Sequence, residues 1–191
     1  MNRTALIVLD FINDIVDLNG KFTETAKFVH EHHVIDRANE VIAYARKHAI
    51  LPIFVRVGFS AGYLECPAQS PLFGKAQEYN ALALNSWGTE FHKKLNFQPN
   101  DLVVTKHRVN AFYATPLEAI LRANQIQHLI VIGVSTDLAV QTAVRDAHDR
   151  DYSVTVVSDA CGAGSKEAHF STIRDLAHVA KIVLSHEILK S

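Results

Sequence analysis

The chain has 191 residues, 48% of them apolar and 20% charged, with a formal net charge of -1. That length fits one domain over residues 1–191, able to bury roughly 70% of the surface its unfolded chain would expose. Lysines and arginines are scattered, so neither the basic stripe of a nucleic-acid binder nor the basic amphipathic face of a membrane-surface protein is present. No stretch approaches the ~18 consecutive apolar residues of a membrane span, and the opening apolar run is too short for the core of a signal peptide. A cytoplasmic protein is expected. The two cysteines, Cys66 and Cys161, make neither a disulfide framework nor a zinc-binding spacing.

In chain order, the first element is the strand "TALIVLD" (4–10). Next comes "HEHH" at 30–33, whose histidines do not share a face in the way that a helical zinc pair with a Glu between requires. It reads as a solvated helix surface. "VIDRANEVIAYARKHA" (34–49) has the three- and four-residue apolar spacing of a helix and leads into the strand "ILPIFVRV" (50–57). Residues 58–100 break the rhythm with Gly and Pro and carry Tyr63, Phe73, Tyr79 and Trp87. So long an irregular excursion is commonly a lid, a rim or a subunit contact.

The alternation then resumes. The strand "DLVVTK" (101–106) is followed by the helix "TPLEAILRANQI" (115–126), in which Thr115 before Pro116 makes a credible start. The strand "HLIVIGV" (128–134) runs into the helix "STDLAVQTAVRDAHDRD" (135–151). "YSVTVVSD" (152–159) is a strand, "SKEAHFSTIRDLA" (165–177) a helix opened by Ser165, and "AKIVLS" (180–185) a last strand. Near-continuous apolar strands suit a parallel sheet covered on both faces. The pattern predicts an α/β fold, a three-layer α/β/α sandwich with a six-stranded, mainly parallel, Rossmann-like sheet and right-handed crossovers.

In such sheets ligands sit beyond the carboxyl ends of the strands. The residues there are Asp10, Arg56, Lys106, the "GVST" corner at 133–136 and Asp159. An acid, a lysine and a helix N-terminus that favours an anion or a developing oxyanion are placed to converge, although Asp10 is equally placed to cap the next segment. "GFSAG" (58–62) matches the G-x-S-x-G nucleophile elbow, but the required helix does not follow Ser60. No glycine fingerprint follows the first strand and no phosphate-binding loop occurs, which disfavours dinucleotides and nucleoside triphosphates. Cys161 in "SDACGAGS" reads as a small buried residue in a tight turn.

Three segments together resemble the isochorismatase-like hydrolase family, over nearly the whole chain. "ALIVLDFINDI" resembles its first strand, which ends in a catalytic Asp, here Asp10. "VVTKHRVNAFYATPLEAIL" resembles the segment bearing its catalytic Lys, here Lys106, followed by a pattern matched at Asn110, Ala111, Phe112, Thr115 and Leu117. "VIGVSTDLAVQTAVRDA" resembles its helix-opening motif, in which a nucleophilic cysteine stands where this chain has Ala139. The resemblance implies that the backbone of Val134, Ser135 and Thr136 faces the substrate, often across a cis peptide. Asn110 and Phe112 would line the same site. The Asp-x-His segment that binds zinc in nicotinamidases has no counterpart in "RVGFSAG", so no metal and no other cofactor are expected. Ile12 stands where many members have Gln.

Ala139 removes covalent thiolate chemistry. The resemblance therefore implies the subgroup without the cysteine, acting on a small carboxylated molecule. Asp10 would protonate a vinyl ether, water would attack the oxocarbenium carbon, and Lys106 and Arg56 would bind carboxylates. Two alternatives remain: an amidase of the Asp-Lys-Cys type whose cysteine is replaced by Ala139, and a catalytically silent binding member. Members of the family usually form dimers or tetramers, so a homo-oligomer with a small-molecule substrate is expected.

Overall fold

In a computed structural model, residues 3–190 are described. Six strands, β1 (Thr4–Leu9), β2 (Leu51–Val57), β3 (Leu102–Lys106), β4 (His128–Val134), β5 (Ser153–Gly162) and β6 (Lys181–Val183), form one sheet in the order β3-β2-β1-β4-β5-β6. Every neighbouring pair is parallel. Successive strands step outward from β1 in one direction, then from β4 in the other. The order therefore reverses between β1 and β4, where an open α/β sheet leaves a crevice.

The apolar strand runs are explained by what covers each face. Along β1, Ala5, Ile7 and Leu9 pack into a core with Leu117, Leu121, Ala143, Val144 and Leu176. Leu6 and Val8 pack on the opposite side with Val34, Ala38, Val41 and Ile42. Alternate residues of one strand thus serve two cores, so both parities must be apolar. The first core is covered by α4 (Leu117–Ala123), α5 (Gln141–Asp149) and α6 (Lys166–Leu176), and the second by α2 (Ala26–Glu31), α3 (Val34–Lys47) and α7 (Ser185–Ile188). Short α1 (Asn13–Val16) follows β1. Among the described residues no helix is long and apolar enough to cross a membrane.

Helix starts follow the expected chemistry with small shifts. Ser165 caps α6 by accepting the Ala168 N–H at 3.1 Å. Thr115 Oγ1 accepts the Leu117 N–H at 3.2 Å, so α4 begins after Pro116. The continuous helix expected at 135–151 is divided. Its first turn, Thr136–Val140, is a wide π turn in which the Val140 N–H donates to the Ser135 carbonyl at 3.1 Å, and α5 proper begins at Gln141. Such widened turns are frequent at functional sites. β5 also outruns its expected end at Asp159. Cys161 and Gly162 pair with Gly133 and Val134 after a register shift, so Cys161 lies in a strand and not in a turn.

The 58–100 excursion folds on its own small core. Phe59, Tyr63, Phe73, Ala76, Ala81 and Leu82 pack with Ile12 and Val57 at the ends of β1 and β2. It contains only one short 3-10 turn, Trp87–Thr89.

Gly133 shows how tightly the switch point is built. Its φ is +144°, and a Cβ there would lie 2.5 Å from the Leu9 carbonyl oxygen. β4 can pass this close to the end of β1 only without a side chain. Gly133→Ala should therefore lower folding stability by about 3 kcal/mol, from backbone strain and overpacking together, as a fall in the urea midpoint.

Candidate active site

Four adjacent strand ends deliver the site. In sheet order they supply Lys106 from β3, Val57 from β2, Asp10 from just beyond β1, and Val134 and Ser135 from β4. β2 lies between the strands that carry the lysine and the acid, and it is bridged. One oxygen of Asp10 accepts the Val57 N–H at 2.8 Å, while the other meets Lys106 Nζ at 2.7 Å. Asp10 itself has φ +56°, a left-handed conformation rare for residues with a side chain, and its N–H donates to the Val55 carbonyl at 2.9 Å. That bend turns the carboxylate across the top of the sheet.

Both charges are almost wholly out of water, Asp10 at 2% exposure and Lys106 at 1%. Lys106 Nζ also donates to the Val109 carbonyl at 2.8 Å, which engages two of its three protons. Burial raises the Asp10 pKa above the ordinary carboxylate value, against the opposing pull of the Lys106 charge and the hydrogen bonds from Lys106 and Val57.

These groups line a cavity of about 80 Å³. Ser135, just before the π turn, and Leu138 and Ala139 within it also line the cavity. The Val134–Ser135 peptide is cis. Ile15 comes from α1, Phe22, Glu24 and Thr25 from the segment before α2, and Leu72, Phe73 and Leu82 from the excursion.

Of the residues expected at the site, Asp10, Lys106, Val134, Ser135 and Ala139 meet in this cavity. Arg56 does not line it. It follows Phe54 to the opposite face of β2 from Val55 and Val57, and its guanidinium donates to Thr105 Oγ1 at 3.3 Å and the Thr89 carbonyl at 3.4 Å. Asn110 is also elsewhere: its amide donates to Asp146 Oδ2 at 2.7 Å, and its oxygen accepts the Phe112 N–H. Phe112 is core, with Arg150 stacked on its ring. Thr136 is fully buried behind the turn, 2.9 Å from His169 Nδ1, and anchors the corner. Asp159 receives the backbone N–H and hydroxyl of Ser185.

Ser60 is likewise spent on structure, its hydroxyl bonded to Glu65 Oε2 at 2.8 Å. Burial pushes the Cys161 thiol up to about 12, far from a reactive thiolate. Tyr63 is buried, with its hydroxyl on the Ala81 carbonyl, and exposed Trp87 and Tyr113 do not reach the cavity. A larger cavity of about 510 Å³ lies beside His30, His33 and His92 and shares no lining residue with this one. There His92 pairs with Asp17 and His33 with Asp36, which accounts for its acid groups.

Sequence reading missed Asp14, four residues after Asp10. Buried Asp14 accepts the Leu82 N–H at 2.7 Å and so pins one wall of the cavity. Gly88 lets the 3-10 turn approach it, since a Cβ there would lie 2.2 Å from Asp14 Oδ2. The spacing within "DFIND" was the available signal.

A parallel sheet of order 3-2-1-4-5-6, with an acid and a lysine buried together at its strand ends, is a Rossmann-like, doubly wound α/β architecture. The family model for the isochorismatase domain matches residues 4–188, and the chain belongs to the isochorismatase family of hydrolases. The uncharacterized isochorismatase family protein YecD of Escherichia coli O157:H7 is 30% identical over 192 residues, covering 98% of this chain and 95% of that protein. Ureidoacrylate amidohydrolase RutB of Variovorax paradoxus is 30% identical over 171 residues, covering 82% and 68%. The crystal structure of a cysteine hydrolase from Pseudomonas syringae pv. phaseolicola superposes with TM-score 0.88 at 22% identity, covering 100% of this chain and 93% of that one.

Removing the lysine leaves a buried carboxylate without its partner, which typically costs 3–5 kcal/mol. Lys106→Met should raise the Asp10 pKa further. A carboxyl whose folded pKa exceeds its unfolded one binds more protons when folded, so stability is present at low pH and lost as pH rises through the folded pKa. The deficit of Lys106→Met relative to the parent should therefore be greater at pH 8 than at pH 5 in denaturant titrations.

Proposed function

We propose that this chain hydrolyses a small acid-labile substrate, such as a vinyl ether, by direct attack of water, with Asp10 as general acid and no covalent enzyme intermediate. The observation that carries the reading is the buried Asp10–Lys106 pair in a cavity that Ala139 also lines. A nucleophilic side chain at that position would open a covalent route. Alanine leaves the space to water.

The protonated Asp10 gives its proton to the terminal vinyl carbon, and the positive charge moves to the carbon bearing the ether oxygen. Water adds there, forming a hemiketal or hemiacetal. Breaking the C–O bond then releases an alcohol and a carbonyl product, and the proton returned to Asp10 closes the cycle. Burial supplies the proton-holding tendency that a general acid needs near neutral pH. Lys106 moderates it and fixes the carboxyl in place. In this reading the chain is a family member that works without the cysteine.

The test is acetaldehyde release from ethyl vinyl ether, coupled to a dehydrogenase, with pyruvate release from isochorismate as the carboxylated comparison. The parent should hydrolyse a vinyl ether, and Asp10→Asn should lose at least about 100-fold in rate. Full activity in Asp10→Asn, a covalent adduct trapped on the parent, or no hydrolysis of either compound would overturn the proposal.

The 30% identity to a ureidoacrylate amidohydrolase favours one second reading, an amidase scaffold in which Ala139 replaces the nucleophile. On that reading Ala139→Cys should gain ammonia release from small amides that the parent leaves intact.

A further inference from the structure

The charge lining the cavity speaks to the substrate itself. Its only ionisable wall groups are Asp10, Glu24 and Lys106. With both carboxylates ionised the lining carries net -1, and with Asp10 protonated it carries zero. In neither state is a cation in excess. Lys106 is already held by Asp10 and the Val109 carbonyl, and exposed Glu24 adds a carboxylate at the mouth.

Nearby cations are committed elsewhere. Arg56 bonds to Thr105 and Thr89, Lys21 to the Tyr79 and Asn80 carbonyls, and Arg108 to the Glu65 and His107 carbonyls. None of the three lines the cavity. A carboxylate entering so apolar a space would lose its hydration and gain at most the one Lys106 proton that Asp10 and Val109 leave free, with no net positive charge to offset its own. Ile15, Phe22, Leu72, Phe73, Leu82 and Leu138 instead offer contact to a hydrocarbon body. The enclosed volume, about 80 Å³, admits only a small group.

We infer that the site takes a small uncharged molecule, an apolar body bearing one polar hydrolysable group, and discriminates against carboxylates. This rests on the cavity being the substrate site and replaces the carboxylated substrate expected from sequence, since Arg56, its expected receptor, points away.

Isobutyramide and isobutyrate have the same size and shape and differ in charge, so they isolate the feature. Binding to the full chain at pH 7.5 is followed by shifts of the Ile15 and Leu138 methyl resonances. The amide should bind at least about tenfold more tightly than the carboxylate, and Glu24→Lys should shrink that ratio severalfold. Equal or tighter binding of isobutyrate would overturn the inference. So would the absence of methyl shifts with either compound, or a ratio unchanged by Glu24→Lys. No turnover enters this measurement, so a failed charge preference leaves the Asp10 acid role standing, and inert chemistry leaves the charge preference standing.

Discussion

The architecture above the sheet depends on one contact, the ion pair between Asp10 and Lys106. It spans three strands, because β2 runs between the acid and the lysine and contributes the Val57 N–H to the same carboxylate. Two opposite charges so far from water persist only when each is satisfied by the other and by further hydrogen bonds. Here Val57 and Val109 provide them. The pair thus clamps the carboxyl ends of β1, β2 and β3 and sets the floor of the cavity, and the remaining walls are arranged around it. Asp14 holds Leu82, the π turn carries Ala139, and His169 fixes Thr136 behind that turn.

Much of the fold was legible because its signals are local and redundant. Each strand announces itself as a short Val, Ile and Leu run, and each long helix shows a three- and four-residue apolar rhythm. Ser165 and Thr115 mark helix starts through the oxygen atoms they offer to backbone N–H groups. What sequence did not reveal came from contacts between distant segments. β5 extends to Gly162 because β4 offers Gly133 and Val134 as partners there, and the helix expected at 135–151 divides because its first turn must widen over the corner.

The candidate site was legible to the same depth. Of the residues placed by strand ends, Asp10, Lys106, Val134 and Ser135 line the cavity and Asp159 does not, while Ala139, placed by the resemblance, joins them there. Arg56 failed because strand parity matters as much as strand position: one residue before Val57, it faces the other side of the sheet. Asn110 and Phe112 lie near the site in sequence, but a turn commits them to Asp146 and the core. The apolar walls came from the 18–25 segment and the 58–100 excursion, neither of which has a periodicity that tells inside from outside.

The placement of Ala139 has a consequence for how such a scaffold can diversify. Lys106 ends a strand and Asp10 directly follows one, where any change disturbs the sheet. Ala139 is carried on a helical turn whose anchoring is delegated to Thr136 and His169. Position 139 is therefore modular: one side chain can be exchanged there while the Asp10–Lys106 pair keeps its geometry. On the proposed reading, the same framework can in this way host two kinds of chemistry, divided by one small buried side chain.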